Sequence, residues 1–427
     1  MKKWLDDAAR DAALMGDFRD ICDFGGRLAG SGQDDAALDW AMERLREIGP
    51  DVTRVDVPYD GWRCIDQSLQ LLGEQPAKLE CYALLRSQST PGDGLVGEVL
   101  DLGLGRPEDF ERAGSLVQGK IVLVRHEYPF ATGHMHRRRK YDLALAQGAA
   151  GFLIANPLPG KGVLSGSSGR PNGTVGIPAA YVDYKTGHIL AEASARGVAR
   201  VRLTIIGAER EHARAGVVAL DIPGGRPGRI VLSAHIDGHD LGSSAIDNAS
   251  GVAVALAAAR TLAGRVSAET CGLRVCFFSA EEWALAGSAR YLQDMAVSER
   301  EQLLLNINLD TVAGDDSLTA LISDFPLLEG FVQTSATLAD VPVATCLPLM
   351  PNSDHANFAR HGIPALRLVA GFDRPESRVN NILSAGDVPA IALESELRQA
   401  LRATCAMLWT GLISSASALA KLAQRTI

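Results

Sequence analysis

The spacing of apolar residues divides the chain into three stretches. In the first, "DAARDAALMGDFRDICDFG" (7–25) carries apolar residues at helical intervals and runs into the pair Gly25 and Gly26, which predicts one helix. "SGQDDAALDWAMERLREIG" (31–49) predicts a second, with Ser31 or Asp34 near its start and Gly49 just past its end. Short polar side chains take open backbone N–H groups at a helix start, and glycine closes the last turn. "DVTRVDVPYDGW" (51–62) then alternates as a strand does.

The pattern changes after "STPGDG" (89–94). Up to about Gly207 the apolar runs are short: "LVGEVLDL", "GKIVLVRH", "GAAGFLIAN", "GIPAAYV" and "ARVRLTIIG". Each is bounded by Gly or Pro, and one helical stretch, "YDLALAQG", lies between two of them. This predicts a small β-rich domain inserted at 89–207, between a first part (1–88) and a last part (208–427) of one larger domain. From "GRIVLSAHIDG" (228–238) onward the pattern is strand, glycine-rich loop, helix, strand, helix. "NASGVAVALAAARTLAG" predicts a helix with Asp247 or Asn248 as its N-cap and Gly264 as its stop. "LRVCFFSAEE", "LLLNINLDTV" and "PALRLVAG" are nearly continuous apolar runs of strand length. Strands of that kind are buried on both faces, so the fold class is α/β, a mixed sheet flanked by helices on both faces. The last 40 residues or so read as one or two helices.

Composition narrows the function. The chain has 42 Lys+Arg against 51 Asp+Glu, a net charge of -9, which argues against nucleic acid as the main partner. The basic run "HRRRK" (136–140) reads as a solvated face. Seven scattered cysteines with no C-x-x-C pair argue against a disulfide framework. The first residues place acids where a signal peptide needs an apolar core, and no run is long enough to span a bilayer, so the expectation is a cytoplasmic protein.

Candidate chemistry sits at four strand ends. "SAHIDG" places His235 and Asp237 two residues apart, on one side of a strand, where the carboxylate can hold the imidazole. Asp247 stands at the mouth of a helix, Glu281 and Glu282 are neighbours in "SAEEW", and Asp310 ends "INLD". Any one acid alone is more simply a cap or a solvated residue. Four such ends in succession point to a metal-dependent site.

The motifs "HIDG", "AIDNASGVAVALAAAR", "SAEEWALAGSARY", "NLDT" and "SDHANFARHGIPALRL" resemble the zinc aminopeptidase family that includes bacterial leucyl aminopeptidases and glutaminyl cyclases, and "GRLAGSG" near Gly26 resembles its N-terminal segment. The insert resembles the protease-associated domain through "VQGKIVLVR" and "AQGAAGFLI". The resemblance implies His235, Asp247 and Asp310 around one metal, with Asp247 shared with a second position at Glu282. It implies Glu281 as general base and Asp237 as the partner of His235.

In the family a further histidine serves the second position, and here that slot is Leu383. Leucine offers no donor, so the expectation is one loosely held divalent ion per subunit, Mn or Zn. The altered ligand set, together with overall likeness to an arylamine aminohydrolase, implies a substrate that brings its own metal-binding atoms. The resulting expectation is hydrolytic deamination of 5-nitroanthranilate to 5-nitrosalicylate and ammonia, by nucleophilic aromatic substitution on a small aromatic anion. The alternative is a metallo-aminopeptidase acting on short peptides, and a noncatalytic binding relative is a third reading. His355 and Arg378 are the candidate substrate contacts, Arg378 through its fork of donors. His239 and His361 read as surface or packing residues. A homo-oligomer is expected, because such inserted modules often provide contact surface.

Overall fold

A computed structural model describes residues 2–74 and 76–425. The chain forms two compact units, one of residues 1–59, 214–382 and 387–427, the other of residues 60–213 and 383–386.

The larger unit is built on an eight-stranded sheet in the order Val52–Pro58, Arg214–Ile222, Gly272–Phe278, Arg229–His235, Leu303–Leu309, Ala365–Ala370, Leu318–Leu321, Val343–Cys346. Its four central strands, from Gly272–Phe278 to Ala365–Ala370, run parallel, and antiparallel neighbours flank them on both sides. Every residue of Gly272–Phe278 is buried, as is every residue of Arg229–His235 after the first, so both faces are covered. That is the mixed α/β architecture which the continuous apolar runs predict. The helix Ser250–Ala263 is buried along most of its length and packs on Glu394–Ile413 and Leu14–Asp23.

The first predicted helix is two, Lys2–Ala8 and Leu14–Asp23. Asp11 explains the break. Its Oδ1 accepts from both Ala13 N and Leu14 N at 2.9 Å, a local side-chain bond that competes with helical pairing and starts the second helix afresh.

The smaller unit carries its own eight-stranded sheet, ordered Ala77–Leu79, Gly61–Leu72, Arg200–Arg210, Leu95–Asp101, Ile121–Arg125, Gly151–Ala155, Ala179–Val182, Cys81–Ala83. It is wider than the span 89–207 read from composition. Gly61–Leu72 pairs with Arg200–Arg210 from one end to the other, which draws the chain from Asp60 onward into this unit. It is also less purely β: helices Pro107–Ala113, Arg137–Ala146 and Tyr184–Ala195 accompany the strands.

Burial and nearby cationic side chains keep two histidines of this unit neutral. His126 Nδ1 meets the Tyr181 hydroxyl at 3.0 Å, and His136 Nδ1 accepts from Arg138 N at 3.2 Å to cap the helix Arg137–Ala146. Desolvation, then the charges of Arg137 and Lys140, lower His126 to about 3, and desolvation followed by Arg137 and Arg138 pushes His136 well below its ordinary value. In the unfolded chain both protonate near 6.5, so the folded state binds fewer protons below that pH. The stability that these two neutral rings contribute is therefore complete above about pH 7 and falls as pH drops toward about 3. Thermal unfolding from pH 7.5 to pH 5 is expected to show His136→Asn, which keeps a capping side chain but does not titrate, gaining stability relative to the wild type as pH falls.

Candidate metal centre

Strands Gly272–Phe278, Arg229–His235 and Leu303–Leu309 lie side by side and parallel. The residues at and just past their carboxyl ends therefore meet at one sheet edge: Glu281 with Glu282, His235 with Asp237, and Asp310. Asp247 joins them from the turn before the helix Ser250–Ala263. Donor atoms of His235, Asp247 and Asp310 lie within 4.8 Å of one another, as do those of His235, Glu281 and Glu282.

His235 Nε2 is 3.1 Å from Asp247 Oδ1 and 3.6 Å from Asp310 Oδ1. Its Nδ1 faces the main-chain oxygen of Asp237 at 3.0 Å, closer than the Asp237 carboxylate at 3.7 Å. The chain leaves the strand after His235, so the same-side pairing expected of an extended backbone is replaced by a bond to the peptide oxygen. An Nδ1–H donated there leaves the Nε2 lone pair toward Asp247 and Asp310. The Asp237 carboxylate is used elsewhere: it accepts from Glu281 N at 3.1 Å and Glu282 N at 3.3 Å, which fixes the acidic pair.

Asp247 and Asn248 divide the work that the sequence left open between them. Both depart from helical backbone (φ -116° and -140°). Asn248 Oδ1 accepts from Gly251 N at 3.0 Å and Thr311 N at 3.2 Å, and its Nδ2 donates to Leu309 O at 2.9 Å. Asn248 thus caps the helix and ties it to the Asp310 strand. The Asp247 carboxylate stays with the cluster, and its main-chain N–H is held at 3.1 Å by Asp387 Oδ2. Asp387 Oδ1 also accepts from Ile246 N at 2.7 Å.

Five carboxylates (Asp237, Asp247, Glu281, Glu282 and Asp310) crowd this buried edge. Arg367 Nη2 lies 3.0 Å from Asp310 Oδ1, and the buried Arg27 guanidinium interacts electrostatically with Asp237 and Asp247. Burial works to raise the Asp310 carboxyl, but Arg367 and His235 hold it well below the usual range. Burial pushes Glu281 well above it, His235 opposing and Glu282 and Asp310 adding to the rise. Burial alone would lower His235, yet Glu281 and Asp310 draw a proton onto it and raise it well above its ordinary value. Surplus buried negative charge that recruits a proton to an imidazole is the environment a divalent cation neutralises, and one imidazole with several carboxylate oxygens is a fitting donor set. The cluster has the donor atoms and the surplus charge to hold a divalent metal ion.

Other residues fall differently from the sequence reading. His239 is buried, which fits packing rather than surface of the two alternatives, with Nε2 2.6 Å from Glu282 Oε2. Arg27, within "GRLAGSG", is fully buried and donates to Ile21 O, Ile236 O, Ser243 O and Ser244 O at 2.8 to 3.0 Å, pinning both ends of the loop that carries His239. His355 opens a short helix and is fully buried; desolvation and then the Arg367 charge lower it to about 3, so it stays neutral. Arg378 is committed to Glu396 and to Ile391 O at 3.1 Å, an anchor for the helix Glu394–Ile413. Leu383 groups with the smaller unit, where its main-chain oxygen accepts from Ser165 N at 2.8 Å. His361 is exposed, as expected.

Gly26 lets the His239 loop approach. A Cβ there would lie 2.2 Å from His239 O and 2.7 Å from Asp240 Cα. Gly26→Ala is expected to lose about 1–3 kcal/mol in denaturant unfolding. Gly16→Ala, inside the helix Leu14–Asp23 with nothing within 4 Å of the added carbon, is expected to gain about 0.5–1 kcal/mol.

Residues 217–387 match the model of Peptidase family M28, and residues 93–190 match that of the PA domain. The probable lipoprotein aminopeptidase LpqL of Mycobacterium tuberculosis is 28% identical over 375 residues, 83% of this chain and 71% of the relative. Among solved structures, the zinc aminopeptidase BSAP from Bacillus subtilis superimposes with a TM-score of 0.74 at 20% identity, covering 95% of this chain and 97% of that one. The peptidase M28 precursor from Shewanella amazonensis gives 0.76 at 22%, with 96% of each chain covered.

These comparisons bear out the zinc-aminopeptidase-type fold and the protease-associated insert, and they overturn the arylamine reading. Most of the relatives are named aminopeptidases, with a carboxypeptidase Q among them, and nothing in the matches supports 5-nitroanthranilate deamination or the aromatic anion proposed as its substrate. The charge of the site agrees, because five carboxylates are a poor host for an anionic ring and Arg378 is already bound to Glu396. The one ion named among these neighbours is zinc, and nothing singles out manganese. Among the described residues no helix is long and apolar enough to cross a membrane.

Proposed function

We propose that this protein is a metal-dependent aminopeptidase that removes residues from the free amino end of peptides. The observation that carries the reading is the convergence of His235, Asp247 and Asp310 at one sheet edge, with Glu281 and Glu282 beside the same imidazole, inside the segment that matches the peptidase family. His235, Asp247, Asp310 and Glu282 are the proposed ligands. The bound divalent ion would polarise the scissile carbonyl and make a water acidic near neutral pH.

The protein's own groups do the rest. Glu281 takes the proton from the attacking water and returns it to the departing amine. Its place is set by the bond from its main-chain N–H to Asp237 Oδ1, so Asp237 is a positioning residue that also holds the tautomer of His235 through its peptide oxygen. The surplus of carboxylates over cationic side chains favours a substrate that arrives with a free, positively charged α-amine. No substrate role is assigned to His355 or Arg378.

The test compares Leu-Gly-Gly with its N-acetylated form in the presence of Zn²⁺, following release of the first residue. Cleavage restricted to the free peptide is expected. Equal cleavage of the acetylated peptide would make the site an endopeptidase or an amidase instead.

A further inference from the structure

The basic run at 136–140 is not the solvated face that its sequence suggests. Lys140 is fully buried and paired with Glu127 at 2.5 Å, and Arg137 is buried as well. His136 caps the ten-residue helix that follows, and Arg137, Arg138 and Arg139 fill its first turn with no acid among them. Cations at that end oppose the helix dipole, whose open N–H groups favour an anion.

The loop 165–170, "SGSSGR", is shaped around these side chains. Gly166 leaves room for Arg137, since a Cβ there would lie 2.1 Å from its Cζ. Gly169, at φ +82°, does the same for the Arg138 stem, with Cδ 2.6 Å from the added carbon. Arg137 Nε donates to Ser167 O at 2.9 Å. The next arginine along the loop, Arg170, donates from Nε to Arg86 O at 2.8 Å, and Ser168 Oγ donates to the same oxygen at 3.2 Å. The loop thus gathers Arg86, Arg138 and Arg170 into one cluster of guanidinium groups.

Their charges are unevenly answered. Arg170 is matched by Glu209 at 2.7 Å, whereas Arg86 reaches the half-exposed Asp60 only at 3.4 Å. Arg86 is 5% exposed, and its Nε is buried with no hydrogen-bond partner among the described residues. Desolvation lowers the Arg86 pKa to about 10, with Asp60 opposing and Arg138 and Arg170 adding to the fall. A buried donor left open beside surplus positive charge is costly until an acceptor of negative charge meets it.

We propose that Arg86, Arg138 and Arg170 form a binding site for a small oxyanion, a carboxylate or a phosphate, within the smaller unit. Arg86 Nε would donate to one oxygen, and the helix start at Arg137 would add its field. Guanidinium forks suit ions that present two or three oxygens. Arg138 and Asp60 are only partly buried, which leaves the ion a way in from solvent. None of these groups belongs to the metal centre, so the inference goes beyond the aminopeptidase reading and does not depend on it. The other role for the cluster is purely architectural, with Arg137 and Arg170 fastening the loop through carbonyl oxygens, and the experiment separates the two.

The zinc-loaded protein is titrated by calorimetry, at one ionic strength held with NaCl, with sodium phosphate, with acetylglycine and with the uncharged acetylglycinamide. Saturable binding of phosphate, of acetylglycine or of both is expected, and none of the amide. Whichever anion binds more tightly identifies the class, inorganic phosphate or peptide carboxylate. Arg138→Gln, which keeps a stem against Gly169, is expected to weaken that binding by about tenfold or more. Arg86→Lys, which keeps the charge but loses Nε and the fork, is expected to weaken it too. Weaker binding in either variant supports the assignment. Unchanged affinity in both would place the anion elsewhere, on the zinc for example, and overturn the proposal, as would no binding of either anion. The wild-type unfolding midpoint needs no variant: it is expected to rise with the bound anion beyond any rise with NaCl, and equal rises would contradict the site. Because none of these readouts involves catalysis, a protein that binds the anion but cleaves no peptide would sink the aminopeptidase reading and leave this one standing.

Discussion

Glu281→Gln is expected to lower kcat about a thousandfold while leaving KM, the metal content and the unfolding midpoint nearly unchanged. General-base catalysis by a positioned side chain contributes about 10²–10⁴ in rate. Glutamine has nearly the shape of glutamate but cannot accept the proton. The main-chain bond from residue 281 to Asp237 Oδ1 does not depend on the side chain, so the loop should keep its place. Glu281 is a carboxylate that burial and its acidic neighbours push well above the usual range, and removing its charge relieves repulsion. A small gain in stability alongside the lost rate would therefore agree with the role. Steady-state kinetics on an aminoacyl arylamide, read beside metal analysis, checks this. A loss of rate explained wholly by a loss of metal would move Glu281 from base to ligand.

Arg367→Met is expected to destabilise the protein by about 3–5 kcal/mol, the range for breaking a buried ion pair from one side. The guanidinium reaches Asp310 Oδ1 at 3.0 Å and Asn352 O at 3.0 Å, and both side chains of the ion pair are almost fully buried. Arg367 and His235 hold the Asp310 carboxyl low against burial, so its ionised form contributes stability above the unfolded carboxylate pKa, lost as pH falls through the folded one. Without Arg367 that contribution shrinks. Added Zn²⁺ is expected to restore more stability to the variant than to the wild type, because the ion replaces part of the missing positive charge. Urea unfolding with and without Zn²⁺ measures both effects; a change below about 1 kcal/mol would mean that Asp310 is balanced by other groups.

Both effects concern residues of unequal visibility in the sequence. The strand-end acids and His235 were legible because burial on both faces makes the flanking strands continuous apolar runs, so the first polar residue past each run marks the sheet edge. Arg367 lies inside such a run, "PALRLVAG", where a lone charge looks like an interruption, and only the parallel pairing of Asn308 with Arg367 reveals its neighbour. His239 sits in a glycine-rich loop with no periodicity to orient it, and its partner Glu282 is 43 residues away along the chain. Arg27 is visible in the sequence only as part of a motif, because its role is to gather carbonyls from a loop more than 200 residues distant. Nothing in the sequence around Asp387 shows that its two oxygens hold the backbone of Ile246 and Asp247. The arylamine reading failed for a different reason. It let one changed position, Leu383, outweigh the likeness of the rest of the chain to relatives named aminopeptidases.

On the proposed function, this edge of carboxylates and imidazole cleaves peptides only with a divalent ion in place. The most direct measurement is the rate of leucine p-nitroanilide hydrolysis by chelator-stripped protein before and after Zn²⁺ is returned in stoichiometric amounts, with Asp310→Ala alongside. The account predicts negligible rate without the ion, recovery on its return, and none in the variant. Full activity in the stripped protein, or recovery in Asp310→Ala equal to the wild type, would contradict it.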